Sequence, residues 1–86
     1  MSEITSEQCR NARAMLEMSE EALAAAANVG LRTVCAFESG IAEPTANSLR
    51  SIRLAIERAG VDLLPPTSAS AAGVRLSDAY LARKAR

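Results

Sequence analysis

An all-α fold, a small bundle of four to five helices with a short β segment or hairpin near the C-terminus, is what this sequence predicts. Three observations carry the prediction. The 86 residues allow one domain at most. Apolar residues make up 49% of the chain but aromatics only 2%, so the core must be built from Ala, Leu, Ile, Val and Met. That mixture suits close-packed helices and suits a β-sandwich poorly, because strands favour β-branched and aromatic side chains. Finally, cap residues stand directly before segments whose apolar positions recur at helical spacing.

Thr5-Ser6-Glu7-Gln8 has the form of a capping box, with Thr5 as N-cap and Gln8 reaching back. Cys9, Ala12 and Leu16 follow at helical spacing, which predicts a first helix over 5–17. Ser19 is a good N-cap for a second helix over Ser19–Ala27, with Glu20 and Glu21 in the first turn, where the dipole favours acids. Leu23, Ala24 and Ala27 form its apolar face, and Asn28 tolerates the left-handed conformation that ends a helix. Gly30 opens a third helix over Leu31–Ser39, with Val34 and Phe37 on one face and Leu31 nearby, and Gly40 stops it.

Ala42-Glu43-Pro44 reads as a short linker. A fourth helix runs from Thr45 to Ala59 on a seam of Leu49, Ile52, Ile56 and Ala59, and Gly60 is its stop. Val61-Asp62-Leu63 and Val74-Arg75-Leu76 alternate like short strands and can pair. Between them, Pro65 through Gly73 reads as a flexible loop. Ser77-Asp78 caps a last short helix carrying Tyr80 and Leu81. The chain divides accordingly into a helical domain over 1–64 and a loop-and-tail segment over 65–86.

Ten basic and ten acidic residues give a formal charge of zero, but the charges are segregated. Residues 1–64 carry Arg10, Arg13, Arg32, Arg50, Arg53 and Arg58 against nine acids, a net of −3. Residues 65–86 carry Arg75, Arg83, Lys84 and Arg86 against Asp78, a net of +3. Cys9 and Cys35, with no histidine and no closely spaced cysteine pair, argue against a zinc site. Both are read as reduced thiols, with Cys9 a small core residue. Cys35 lacks a neighbouring activating group in sequence and is read as an inert thiol rather than a redox sensor. No stretch approaches the roughly 20 apolar residues of a membrane span, and the N-terminus has no signal-peptide pattern, so the expected location is the cytoplasm. With no histidine, no phosphate-cradling glycine loop and no acidic pocket, neither an enzyme nor a cofactor is expected.

Two short helices joined by the turn Asn28-Val29-Gly30 constitute a helix-turn-helix, with Val29 plugging the core at the turn. The second helix of such a pair can lie in the DNA major groove and offer its N-terminal residues to base edges. Leu54, Leu63 and Leu64 fall outside the helix-4 seam, and such surplus apolar residues suggest a dimer surface that Val74 and Leu76 extend. Two-fold pairing implies a near-palindromic site with half-sites one helical turn apart.

The stretches Arg10–Ala24 and Val29–Gly40 resemble the Cro and phage-repressor type of helix-turn-helix transcriptional regulator, the XRE family. Ala59-Gly60-Val61-Asp62 and Gly73-Val74-Arg75-Leu76 are similar to a small bacterial branch of it, so the resemblance spans about residues 5–77. It implies double-stranded DNA and a second copy of the chain as partners. It also implies a buried salt bridge between Arg13 and Glu38, and base- or phosphate-facing roles for Gly30, Leu31, Arg32, Thr33 and Cys35. Glu20 stands where relatives usually carry a DNA-contacting Gln; Ser39 and the residues after Gly40 stand where relatives touch phosphate, and Arg10 and Ser19 complete the candidate set. The departures have consequences. A carboxylate at Glu20 repels phosphate but can accept from a cytosine amino group. Leu31, Cys35 and Ala36 replace positions that are often polar or basic, and the segment Ile41-Ala42-Glu43-Pro44 has no Lys or Arg. Arg32 and Thr33 remain the best readers, the first for guanine and the second for the thymine methyl. The expected function is a sequence-specific regulator, a repressor by preference, acting as a homodimer. The alternative is an antitoxin or protein-interaction module on the same scaffold, with residues 65–86 as the partner-binding segment.

Overall fold

The computed structural model describes residues 4–64 and 73–84. Among the described residues, five helices and two strands follow one another: α1 (Ser6–Leu16), α2 (Glu20–Ala27), α3 (Leu31–Glu38), α4 (Ala46–Ala59), β1 (Val61–Leu64), β2 (Gly73–Leu76) and α5 (Asp78–Lys84). This is the small helical bundle with a β hairpin that the composition and periodicity predict. The segment 65–72, read from sequence as a loop, lies outside the described residues, as does Arg86. Gly73, also placed in that loop, instead opens β2 opposite Leu64. The dividing line at residue 64 therefore falls between two strands of one hairpin.

The helix ends obey local chemistry. Thr5 and Gln8 form the full capping box: Thr5 Oγ1 accepts from the Gln8 amide N–H and Gln8 Oε1 accepts from the Thr5 N–H, both at 3.0 Å. Ser19 accepts from Ala22 N–H at 3.0 Å, and Thr45 accepts from Ser48 N–H at 3.2 Å. Asn28 ends α2 with φ 56°, the left-handed conformation expected of it, and Gly40 turns the chain after α3 with φ 76°.

The core joins Ile4, Cys9, Ala12, Leu23, Ala24, Ala27, Val34, Phe37, Leu49, Ile52, Ala55, Ile56 and Val61. On α4 the buried seam uses Ala55 rather than Ala59, which is only half-buried. The i, i+3, i+6, i+7 set of Leu49, Ile52, Ala55 and Ile56 forms a continuous stripe, and Ala59 lies at its edge. Leu31 stays 43% exposed and takes no part in the core, because at the first position of α3 it projects beyond the packed face.

The hairpin pairs antiparallel, Val61 with Leu76 and Leu63 with Val74, with Asp62 and Arg75 opposite each other and bridged at 3.3 Å. One buried amide fastens it to the bundle. Gln8 Nε2 donates to the carbonyls of Leu64 and Gly73, each at 3.0 Å, at the end of the ladder where β1 stops and β2 begins. The α5 end is held at Gly60. Ser77 N–H donates to Gly60 O at 2.7 Å, and the Tyr80 side chain lies so close that a Cβ on Gly60 would stand 2.5 Å from Tyr80 Cδ2. With φ 122° as well, only glycine fits. Among the described residues, no helix is long and apolar enough to cross a membrane.

Gln8→Ala strips the Leu64 and Gly73 carbonyls and the Thr5 N–H of their partner at once. An unsatisfied buried polar group costs about 1–3 kcal/mol. For a domain this size the expected fall in Tm is on the order of 10 °C by circular dichroism. Gln8→Glu, which keeps the N-cap acceptor but loses the donor to the hairpin, should not restore it; recovery by Gln8→Glu would show that the hairpin tie contributes nothing.

Candidate nucleic-acid interface

The α2–turn–α3 unit is held by donors that α1 sends to the last turn of α3. A helix leaves its last carbonyls without intrahelical partners. Here Ser6 Oγ donates to Phe37 O at 2.7 Å, and Arg10 Nη1 donates to Glu38 O. Arg13 reaches the Glu38 carboxylate through both Nε (2.6 Å to Oε2) and Nη2 (2.5 Å to Oε1), and its Nη1 donates to Met18 O at 3.0 Å. Cys9 Sγ donates to Glu38 Oε2 at 3.1 Å. The Arg13–Glu38 pair that the resemblance implies is thus a two-pronged salt bridge, with the Glu38 side chain 4% exposed and that of Arg13 20%.

Burial alone would raise the Glu38 pKa. The hydrogen bonds from Arg13 and Cys9 and the guanidinium charge outweigh it and hold the carboxyl below the ordinary carboxylate range. Glu20, from α2, also lies near this carboxyl. Cys9 is driven the other way, chiefly by burial and then by its bond to Glu38. The Cys35 thiol is also pushed up, first by desolvation and then by the Glu20 carboxylate, so its reactive thiolate is disfavoured.

With Val34, Phe37 and Glu38 buried, the roll of α3 about its axis is determined. Its opposite face carries exposed Arg32 and half-buried Ala36, half-buried Thr33 and Cys35 lie on its two flanks, and Leu31 is exposed at the start of the helix on the packed side. Gly30 is the exposed N-cap of α3, and Ser19 and the half-buried Glu20 stand at the start of α2. Arg32 and Thr33 are thus brought together on one flank of α3, and Cys35 lies toward Glu20 of α2 on the other. Three candidates have intramolecular duties as well, Ser19 as the cap of α2. Arg10 is exposed but engages the Glu38 carbonyl, and the Ser39 hydroxyl donates to Cys35 O at 2.6 Å. The i, i+3 spacing of Arg10 and Arg13 was the available signal that both guanidinium groups serve one face of α1.

Beside this face lies a cleft of about 280 Å³ between α3 and the α3–α4 loop, lined by Arg32, Thr33, Ala36, Ala42, Glu43 and Pro44. Sequence reasoning treated Ala36 and this loop only as departures from a basic pattern. Their shared cavity arises from the fold that returns the loop alongside α3. Next to it Ile41 is 81% exposed.

The five candidate dimer residues fall into three groups by burial. Leu63, Val74 and Leu76 are partly buried against the core of their own chain, Leu54 is half-buried, and Leu64 is 40% exposed. Among the described residues, no group of three or more His, Cys, Asp or Glu side chains is placed to hold a metal ion. Compared with known proteins, the chain matches no family model, and no curated protein matches it.

Glu38→Gln keeps the side-chain shape but removes the charge that pairs with Arg13, and should destabilise the fold by about 3 kcal/mol near neutral pH. Because the folded-state pKa of Glu38 is depressed, the stabilisation is complete above the unfolded carboxylate range and is lost as pH falls through the folded value. In melts across pH, the gap between parent and Glu38→Gln should be full above about pH 5 and narrow below about pH 4. A constant gap would assign the loss to packing instead.

Proposed function

We propose that the chain is a sequence-specific DNA-binding transcription regulator, a repressor by preference, that binds a near-palindromic operator as a homodimer. The observation that carries this reading is the pair of eight-residue helices joined by a three-residue turn, with Arg32 exposed in the first turn of the second helix. A helix offered in this way enters the major groove, where an arginine can make two hydrogen bonds to guanine. The ties from α1 to the end of α3 support it further, since a reading helix must hold its orientation to discriminate bases. One such unit spans few base pairs, so a second copy is needed for an operator of useful length, and exposed Leu64 at the hairpin is the natural place to begin a two-fold contact.

A second reading has its own observation. The Arg10 guanidinium is engaged with Glu38, and Arg32 shares its cleft with Glu43. A face of that balance attracts phosphate weakly. It suits a protein partner, as in an antitoxin or interaction module.

Fluorescence anisotropy on labelled DNA from upstream of the protein's own gene, at low and high salt with scrambled competitor, separates the two. The regulator binds in a competitor-resistant, salt-dependent way; the interaction module binds both DNAs equally or not at all. On the bound DNA, Arg32→Ala should weaken affinity by about tenfold or more. Unchanged affinity would remove Arg32 as a base reader.

A further inference from the structure

The cleft between α3 and the α3–α4 loop has a composition that distinguishes among DNA groups. Arg32 and Ala36 stand one turn apart on α3, on the side away from buried Val34 and Phe37, so the cleft opens outward with the reading face. Three of its walls, Ala36, Ala42 and Pro44, have side chains with no hydrogen-bonding atom, and half-buried Thr33 adds a methyl group and a hydroxyl. Arg32 is the cation among the lining residues and Glu43 the anion. The short side chain of Ala36 is what keeps the space open, since a longer residue at this outward position of α3 would project into it.

We infer that this cleft is the base-discriminating element of the protein, seating the C5-methyl edge of a thymine while Arg32 forks onto the guanine of a neighbouring base pair. The inference rests on the DNA-binding reading and specifies the ligand of that face. A backbone phosphate is a poor occupant: it calls for several donors, whereas three walls here are apolar and Glu43 opposes its charge. In the major groove, thymine is the standard base that offers an apolar group, its C5 methyl. The guanidinium beside the apolar walls matches the two acceptors of guanine, O6 and N7. Discrimination thus comes from a methyl group and one forked contact, which fits a face with few cations.

The test begins with selection of bound duplexes from a randomised library by the full chain. Each thymine of the enriched site is then replaced in turn by deoxyuridine, which lacks only the methyl, and affinity is read by anisotropy. The enriched site should contain a thymine adjacent to a guanine, and its replacement should weaken binding about fourfold, the value of one buried methyl group. Ala36→Leu, which fills the cleft, should weaken binding to the thymine site and abolish the thymine–deoxyuridine difference. An enriched site that tolerates deoxyuridine at every position overturns the cleft inference and leaves the DNA-binding reading standing. Failure to enrich any duplex overturns both. The deoxyuridine measurement requires no change to the protein, so it stands even where Ala36→Leu fails to fold.

Discussion

The structure depends on a single buried carboxylate at the end of α3. Glu38 lies at a helix C-terminus, where the dipole disfavours negative charge, and within the core, where desolvation disfavours it again. Both costs are offset from α1. Arg13 grips the carboxylate with two nitrogens, Cys9 adds a thiol, and Ser6 and Arg10 take the last carbonyls of the helix. Ser6, Arg10 and Arg13 recur at i, i+4, i+7, so one stripe of α1 forms the C-terminal cap of α3. This arrangement fixes the distance between the helices and the roll of α3. Phe37 and Val34 complete the constraint from the apolar side.

Everything outward on α3 follows from that roll. Arg32 and Ala36 face solvent because Val34, Phe37 and Glu38 cannot, and the α3–α4 loop, turning at Gly40, returns close enough to wall the cleft. The proposed reading face therefore inherits its shape from a salt bridge on the other side of the helix. Its charges are few and mixed, so its selectivity as a DNA reader rests on a forked arginine and apolar fit more than on phosphate attraction.

The opposite end of the molecule solves a different problem. A bundle with a single aromatic in its core must cover α4's end without large side chains, and it does so with a hairpin. Gln8 is the hinge between the two tasks. Its carbonyl completes the cap of α1 and its amide nitrogen holds the Leu64–Gly73 end of the hairpin, so both polar atoms of its side chain are satisfied. Tyr80 seats α5 on Gly60 and receives Lys84 over its ring at 5.8 Å. Within the segment that is basic in sequence, α5 meets the helical body through Tyr80 and leaves Arg83 and Lys84 exposed.

By itself the sequence determined the elements of this protein and their ends. Thr5, Ser19, Asn28, Gly40, Thr45 and Gly60 act through hydrogen bonds and backbone preferences within a few residues, and such local chemistry is readable in order along a chain. The alternating Val61–Leu63 and Val74–Leu76 segments were legible for the same reason, and Arg13 and Glu38 were legible as a pair only through family resemblance. Tertiary structure alone decided the rest, because the remaining choices depend on groups distant in sequence. Gln8 meets Leu64 and Gly73 across 56 and 65 residues, Arg10 meets Glu38 across 28, and Ala55 displaces Ala59 because the facing helices select which side of α4 is covered. Whether Leu63, Val74 and Leu76 serve their own core or a surface was likewise set by packing: β1 and β2 lie against α1 and α4, and area buried there is area withdrawn from any partner.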